Sequence, residues 1–466
     1  MQVVNDKLHL KLRNPTKVTA AVPNAKEIQP HHVEVNWGVE ESQYLNNIGI
    51  EVPSPIMGLY KWSGRLTPFA HQKDTAAFFT LNRRAFCFNE QGTGKTASAI
   101  WASDYLMNEG LANRVLVVCP LSIMDSAWRN DLFTFAMHRS VDVAHGAAAK
   151  RKKIINNGAD YVVINYDGIR VVADEIENGG FDLIIIDEAT HYKNAQTDRW
   201  KTMNKLVKPD TWLWMMTGTP AAQSPLDAYG IAKLMNKDSV PRAFGSFRDQ
   251  LMYKVTQFKW VPKENAKDRV YEVLQPAIRY TKAQCLDLPD MVYVTRDADM
   301  TRQQAKYYQD LKSRFISEAA GETISAVNAA QNMNKLLQLS SGAIYTDSGE
   351  ALEFDVKHRY KAVREVIDET DHKVLIFVPY KHAIQVVAQK LRKDGFATEV
   401  ISGDVPASKR TAIFDDFQTT DSPRVLVLQP ATAAHGVTLT RADTVVWWGP
   451  TSSLETYLQA NARVHR

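Results

Sequence analysis

The chain has 466 residues, 45% of them hydrophobic and 23% charged, which is the composition of a soluble globular protein and the length of about three domains; it argues against a small module, a fibrous repeat or a disordered chain. Its 56 basic residues against 52 acidic ones leave a net charge of only +4, so bulk charge does not announce a nucleic-acid partner and the distribution of charge carries the information instead. The three cysteines, Cys87, Cys119 and Cys285, are odd in number and far apart, which speaks against a disulfide framework or a zinc site and fits a reducing, cytoplasmic setting.

The first sixty residues hold short alternating stretches, Leu8–Leu12 and His32–Trp37, separated by the turn-rich Asn14-Pro15 and Pro23-Asn24, and predict a small β-containing accessory domain over 1–60. The amino terminus has no apolar stretch of signal-peptide length. After Pro68, short apolar runs alternate with helical patterns: Ala85–Asn89, Val115–Cys119, Tyr161–Asn165, Leu183–Asp187 and Trp212–Thr217. That alternation predicts βαβ units and a parallel, doubly wound sheet over 61–236. None of these runs approaches the roughly 18 residues of a membrane span, so no membrane is expected.

The β rhythm lapses from Lys237 to Lys282, and helical stretches follow from Thr301 to about Leu339. We therefore expect a helical interlobe region over 237–340. A second α/β sheet is expected over 341–466, from Val374–Val378, Thr398–Ile401, Val425–Gln429 and Thr444–Trp448. The segment Lys237–Lys282 carries ten basic against five acidic residues, a net +5 that leaves the rest of the chain at −1. Phe244, Phe247, Tyr253, Phe258, Trp260 and Tyr271 are interleaved with these bases, a pattern suited to phosphate contact and base or groove contact, with Lys254, Lys259 and Lys263 as candidate DNA ligands. The same pattern also describes a solvated face with its aromatics in the core.

Chemistry concentrates in Asn89-Glu90-Gln91-Gly92-Thr93-Gly94-Lys95-Thr96, between an apolar run and a helical stretch. A strand, a glycine-rich turn and a helix amino terminus form an anion cradle of backbone N–H groups, in which Lys95 reaches the β and γ phosphates of ATP and Thr96 holds Mg²⁺. The first glycine of the general P-loop pattern is replaced by Asn89. Leu183–Ile186 runs into Asp187-Glu188, two carboxylates at the carboxyl end of a buried strand, where open α/β sheets bind ligands. Asp187 suits Mg²⁺, and Glu188 suits orientation or deprotonation of the attacking water.

Further motifs follow in order: Leu66-Thr67-Pro68-Phe69-Ala70-His71-Gln72, the P-loop, Val117-Val118-Cys119-Pro120, Asp187 to Asn194, Thr217-Gly218-Thr219-Pro220, Val374–Val378, Gly436-Val437-Thr438-Leu439, and Gln459 to Arg466. In this order, across about Leu66 to Arg466, they resemble superfamily II helicases. Lys193-Asn194 after the acidic motif, Arg279-Tyr280-Thr281-Lys282 with Leu288-Pro289, and the closing Gln459, Arg463 and Arg466 resemble the Swi/Snf branch of DNA translocases, and within it the compact phage-encoded members. Thr190, His435 and Thr438 depart from that branch's pattern.

The resemblance implies two tandem RecA-like lobes. It implies ATP contacts from Gln72 (adenine edge), Gln91, Gly92, Thr93, Gly94, Lys95, Thr96 and Gln459, with Arg463 and Arg466, one helical turn apart, as arginine fingers. It also implies coupling through Thr217, Thr219 and Gly436, and DNA contact at Pro120, Lys193 and Asn194. The expected activity is that of an ATP-dependent DNA helicase or translocase, a monomer bound to DNA chiefly through phosphates. An RNA helicase, the motor subunit of a restriction system and a nucleotide-switched DNA-binding protein stand as rivals. Because the last motif ends at Arg466, the natural protein is expected to continue beyond it.

Overall fold

The computed structural model describes residues 1–466 except 23, 222, 257–258, 322–325, 346–350, 434–437 and 466. The chain divides into two compact units, Met1–Val255 with Trp260–Leu286, and Thr256–Lys259 with Asp287–Arg466. The fold is α/β, with a parallel sheet in each unit.

The first unit opens with β1 (Gln2–Val4), β2 (Lys7–Lys11), β3 (Lys26–Gln29) and β4 (His32–Asn36), an antiparallel sheet in the order β1-β2-β4-β3. The alternation read in the sequence has a direct consequence here. Leu8, Leu10, Val33 and Val35 point to one face and form a separate small core with Val18, Leu45 and Trp37, while Lys7, His9 and Glu34 stay on the other.

The main sheet of this unit uses β5 (Arg84–Cys87), β6 (Val115–Cys119), β7 (Val141–Ala144), β8 (Tyr161–Asn165), β9 (Leu183–Asp187) and β10 (Trp212–Met216). A hairpin of β11 (Met252–Lys254) and β12 (Trp260–Pro262) comes next, and then β13 (Ala277–Ile278), which returns to the sheet edge. The order is β13-β5-β10-β9-β6-β8-β7, parallel throughout. Its central strands are apolar along their whole length because helices cover both faces. Alternate residues feed two cores: Ile184, Ile186, Leu213 and Met215 one, Leu183, Ile185, Trp212 and Trp214 the other. Each such side chain contributes roughly 1.5–3 kcal/mol on burial.

The five expected first-sheet strands are present, and β10 ends at Met216, with the Thr217 N–H still donating to Cys87 O at 3.0 Å. β7, β11, β12 and β13 appear where no strand was expected. With two to four residues each, they are too short to display a period-2 pattern.

In the second unit the helices Arg302–Gly321 and Ala326–Ser340 precede a hairpin of β14 (Ala343–Tyr345) and β15 (Ala351–Glu353). The parallel sheet that follows is β16 (Lys373–Phe377), β17 (Thr398–Ile401), β18 (Val425–Leu428) and β19 (Ala442–Trp447), in the order β17-β18-β16-β19. Val374 and Ile376 face one core, Leu375 and Phe377 the other. Among the described residues no helix is long and apolar enough to cross a membrane.

Candidate active site

Strand order and register assemble the site. Cys87 of β5 pairs with Met216 of β10, and Met216 pairs with Asp187 of β9. The loops that leave these three strands, 88–94, 217–220 and 188 onward, therefore emerge side by side at the carboxyl edge of the sheet, where α/β folds bind ligands.

The first loop turns through Gly92 (φ 85°) and Gly94 (φ 81°), left-handed conformations that favour glycine. A Cβ on Gly94 would stand 2.1 Å from Gln72 Nε2. The helix Lys95–Asn108 starts immediately after, so its free N–H groups face the loop. Lys95 Nζ donates to the carbonyls of Asn89 (2.8 Å) and Glu90 (3.2 Å), which holds the ammonium across the cradle.

Asn89, where the general pattern has glycine, is buried, and both ends of its amide are engaged. Nδ2 donates to Thr75 Oγ1 and Oδ1 accepts from Tyr280 N–H, each at 2.9 Å. The residues around β13 continue along the loop: Phe88 N–H donates to Ile278 O, Glu90 N–H to Tyr280 O, and Lys282 N–H to Glu90 Oε2. The motif Arg279–Lys282 thus straps the phosphate loop. Gln72 holds two bonds within the chain, its Oε1 accepting from Phe69 N–H at 3.0 Å and its Nε2 donating to Thr93 O at 3.2 Å, while the His71 ring lies 2.8 Å from the same carbonyl.

Asp187 and Glu188 are buried. Asp187 Oδ2 accepts from Trp128 Nε1 at 2.9 Å and Oδ1 from the Glu188 N–H at 3.0 Å, while the Tyr166 hydroxyl donates to the Asp187 carbonyl. Burial, then the nearby Asp187 charge, raises the Tyr166 phenol well above its ordinary range, so it stays a donor. Glu188 sits at φ 51°, ψ 60°, a left-handed backbone that a non-glycine residue adopts at a cost of about 1–3 kcal/mol and that clusters at functional sites. Thr217 Oγ1 donates to Glu188 Oε2 at 3.3 Å and accepts from Thr219 N–H at 3.3 Å. The acidic motif and the Thr217–Pro220 turn are therefore in direct contact.

In the second unit, Gln459 is buried and donates to Glu455 at 3.3 Å. The helix Leu454–Asn461 ends before Arg463; Arg463 is buried in the turn that follows, and its carbonyl accepts from Leu439 N–H. Arg466, Gly436, His435 and Phe258 lie outside the described residues.

The DNA candidates are dispersed. Pro120 is buried, and exposed Leu121 follows it. Lys193 is half-buried beside Asp227 (3.5 Å) and Gln223 (3.3 Å), and Asn194 closes its own turn onto Gln196 N–H. Lys254 and Lys259 are exposed, whereas Lys263 donates to Asp249 O at 2.6 Å and lies over the exposed Tyr253 ring at 5.3 Å. Of the interleaved aromatics, Phe247 is a core residue, Phe244 packs on Tyr229, Trp260 lies under Arg248, and Tyr253 and Tyr271 are exposed.

An SNF2-related domain matches residues 34–343, and a helicase conserved C-terminal domain matches residues 358–466. The chain belongs to the SNF2-related family. It is similar to the putative protein p41 of Acyrthosiphon pisum secondary endosymbiont phage 1, at 22% identity over 82% of this chain and 85% of that protein. It is also similar to the chromodomain-helicase-DNA-binding protein 1-like of Mus musculus, at 24% identity over 81% of this chain and 43% of that protein. The chain therefore spans most of the phage protein but less than half of the mouse one. Among solved structures, the Sulfolobus solfataricus SWI2/SNF2 ATPase core in complex with dsDNA aligns at 22% identity with a TM-score of 0.45, covering 84% of this chain and 83% of that one.

Family membership makes this an ATP-dependent helicase/translocase of superfamily II, with one parallel α/β sheet in each of its two units. The SNF2-related site suits a nucleotide with Mg²⁺. Asp187 and the Thr96 hydroxyl are hard oxygen donors, and both Asp187 oxygens are already held by N–H groups. Among the described residues, Gln91 Nε2 and Thr219 Oγ1 are buried beside the loop without a hydrogen-bond partner, and Gln91 packs on Gly218. Sequence reasoning missed Trp128, Tyr166 and the role of Asn89. Only the absent glycine at position 89 gave any signal.

Proposed function

We propose that ATP bound at the phosphate loop is hydrolysed with Glu188 orienting the attacking water, and that this turnover drives the chain along duplex DNA. The observation that carries the reading is the contact of Glu188 with Thr217 on neighbouring strands, at the level of the Lys95 loop. Lys95 exchanges the carbonyls of Asn89 and Glu90 for the β and γ phosphates, and the loop N–H groups from Gln91 to Thr96 cradle the same oxygens. Gln72 reads the adenine edge. Mg²⁺ held by Thr96 and Asp187 supplies neutralisation of charge on the phosphate oxygens.

Glu188, kept in place by Thr217, aligns the water, and loss of the γ phosphate is relayed through Thr217 and Thr219, with Gly436 part of the same relay. Gln459, Arg463 and Arg466 complete the nucleotide contacts from the helicase C-terminal domain, the arginines stabilising charge on the transferred phosphoryl. DNA is held through phosphates by Lys254, Lys259 and Lys263, with Lys193 and Asn194, and thus with little sequence preference. The working divisions are 1–60, 61–236, 237–340 and 341–466, in a cytoplasmic monomer that opens forks or short tailed duplexes.

ATP turnover measured without nucleic acid and with single-stranded DNA, duplex DNA and RNA tests the reading. Stimulation by duplex DNA, together with ATP-driven displacement of a third strand from a triplex, is the expected result. Release of a labelled strand from a tailed duplex reports opening. DNA-stimulated hydrolysis with no signal in either strand assay would leave a nucleotide switch and refute the motor, and stimulation by RNA alone would refute the choice of DNA.

A further inference from the structure

We propose that Trp128 is a positioning residue for Asp187, fixing the carboxylate in the orientation that receives Mg²⁺. The inference rests on reading Asp187 as the Mg²⁺ carboxylate. Trp128 lies 59 residues before Asp187, is fully buried, and donates its indole N–H to Asp187 Oδ2 at 2.9 Å. With the Glu188 N–H on Oδ1 at 3.0 Å, each oxygen is held by an N–H donor. Rotation of the carboxylate about its Cβ–Cγ bond would break both bonds, and the lone pairs that remain point in fixed directions.

A buried indole needs an acceptor, so the bond alone would be unremarked. The choice of acceptor separates Trp128 from the other tryptophans. Trp37, Trp101, Trp200, Trp214 and Trp448 each donate to a backbone carbonyl, and Trp447 donates to the neutral Asn461 amide. Among the described residues, Trp128 is the tryptophan whose acceptor is a carboxylate, which makes the bond charge-assisted and about twice as strong as a neutral one.

The backbone around it is equally specific. After β6 the chain makes a 3₁₀ turn, Leu121–Ile123, then a π-helical turn, Met124–Arg129, before the α-helix Asn130–Phe135. A π turn inserts a residue into the helical repeat, costs regular hydrogen bonding, and is frequent at functional sites. Here it turns Trp128 inward while Ser122, Asp125, Ser126 and Arg129 stay exposed.

The test measures binding rather than turnover. Affinity for a fluorescent ATP analogue is titrated against free Mg²⁺, with EDTA as the metal-free limit, for the wild type, Trp128→Phe and a protein carrying 3-benzothienylalanine at position 128. The last keeps the fused ring and removes only the N–H, so it preserves packing should the phenylalanine variant fail to fold. Trp214→Phe serves as the control for loss of core volume, and Asp187→Asn as the control for the metal reading.

The expected result is unchanged affinity in EDTA and a roughly tenfold rise in the Mg²⁺ concentration that half-tightens binding, in both position-128 variants and not in Trp214→Phe. A wild-type Mg²⁺ response in the benzothienyl protein, with Asp187→Asn having lost it, overturns the role of Trp128 alone. A retained response in Asp187→Asn overturns the metal reading beneath it.

Discussion

Asn89→Ala is the most informative single change, because the structure gives this residue a task that the P-loop pattern does not contain. Its amide is 1% exposed and makes two 2.9 Å bonds, to the Thr75 hydroxyl and from the Tyr280 N–H. Removing it costs about 1 kcal/mol for the bond to Thr75, which keeps its own bond to the His71 carbonyl, and about 1–3 kcal/mol for the stranded Tyr280 amide. The sum of about 2–4 kcal/mol corresponds to a fall of roughly 5–10 °C in the melting midpoint of the first unit. Since the Asn89 carbonyl also holds Lys95 Nζ, the KM for ATP should rise about tenfold or less with it. Asn89→Asp keeps the acceptor for Tyr280 and should retain more than half of the stability. Asn89→Gly restores the general pattern yet loses both bonds, and should resemble the alanine variant. Thermal melts and steady-state ATPase kinetics report the two effects separately. An Asn89→Gly protein equal to wild type in midpoint and KM would refute the clamp.

Lys95→Ala should lower ATP turnover by about 100-fold or more at unchanged melting midpoint, because the charge at the phosphates is lost and no core position is touched. Glu188→Gln should keep nucleotide binding in an equilibrium titration while losing turnover in the ATPase assay. Neutralising Lys254, Lys259 and Lys263 together should weaken DNA binding uniformly across sequences and flatten the slope of log K against log salt by about 0.9 for each phosphate that is no longer neutralised. Most of that change should come from the exposed Lys254 and Lys259. Desolvation of the His191 ring, stacked on Tyr166 at 4.3 Å, and then the charge of Arg199, push its pKa down to about 4. The folded value lies below the ordinary 6.5, so the folded state resists the proton. Stability from this group is complete above pH 6.5 and is lost as the pH falls towards 4. Urea midpoints across that window should fall less steeply in His191→Gln than in the wild type.

The central strands of both sheets could be read from the sequence because strands buried on two faces are continuous apolar runs, whereas the short edge strands β7 and β13 could not; Lys95, Thr96, Asp187 and Glu188 stood out as candidates because their chemistry is local: a strand, a turn and the residues that end it. Nothing in the linear pattern states that β10 lies between β5 and β9, and this order is what puts Thr217 on Glu188. Likewise Asn89 meets partners 14 and 191 residues away, and Trp128 meets one 59 residues away. Periodicity reports which face a residue shows to the core, and motifs report chemistry within a few residues. A hydrogen bond between two buried groups far apart in the chain leaves neither trace, because only the packed sheet brings donor and acceptor within 3 Å and removes the water that would otherwise compete for both.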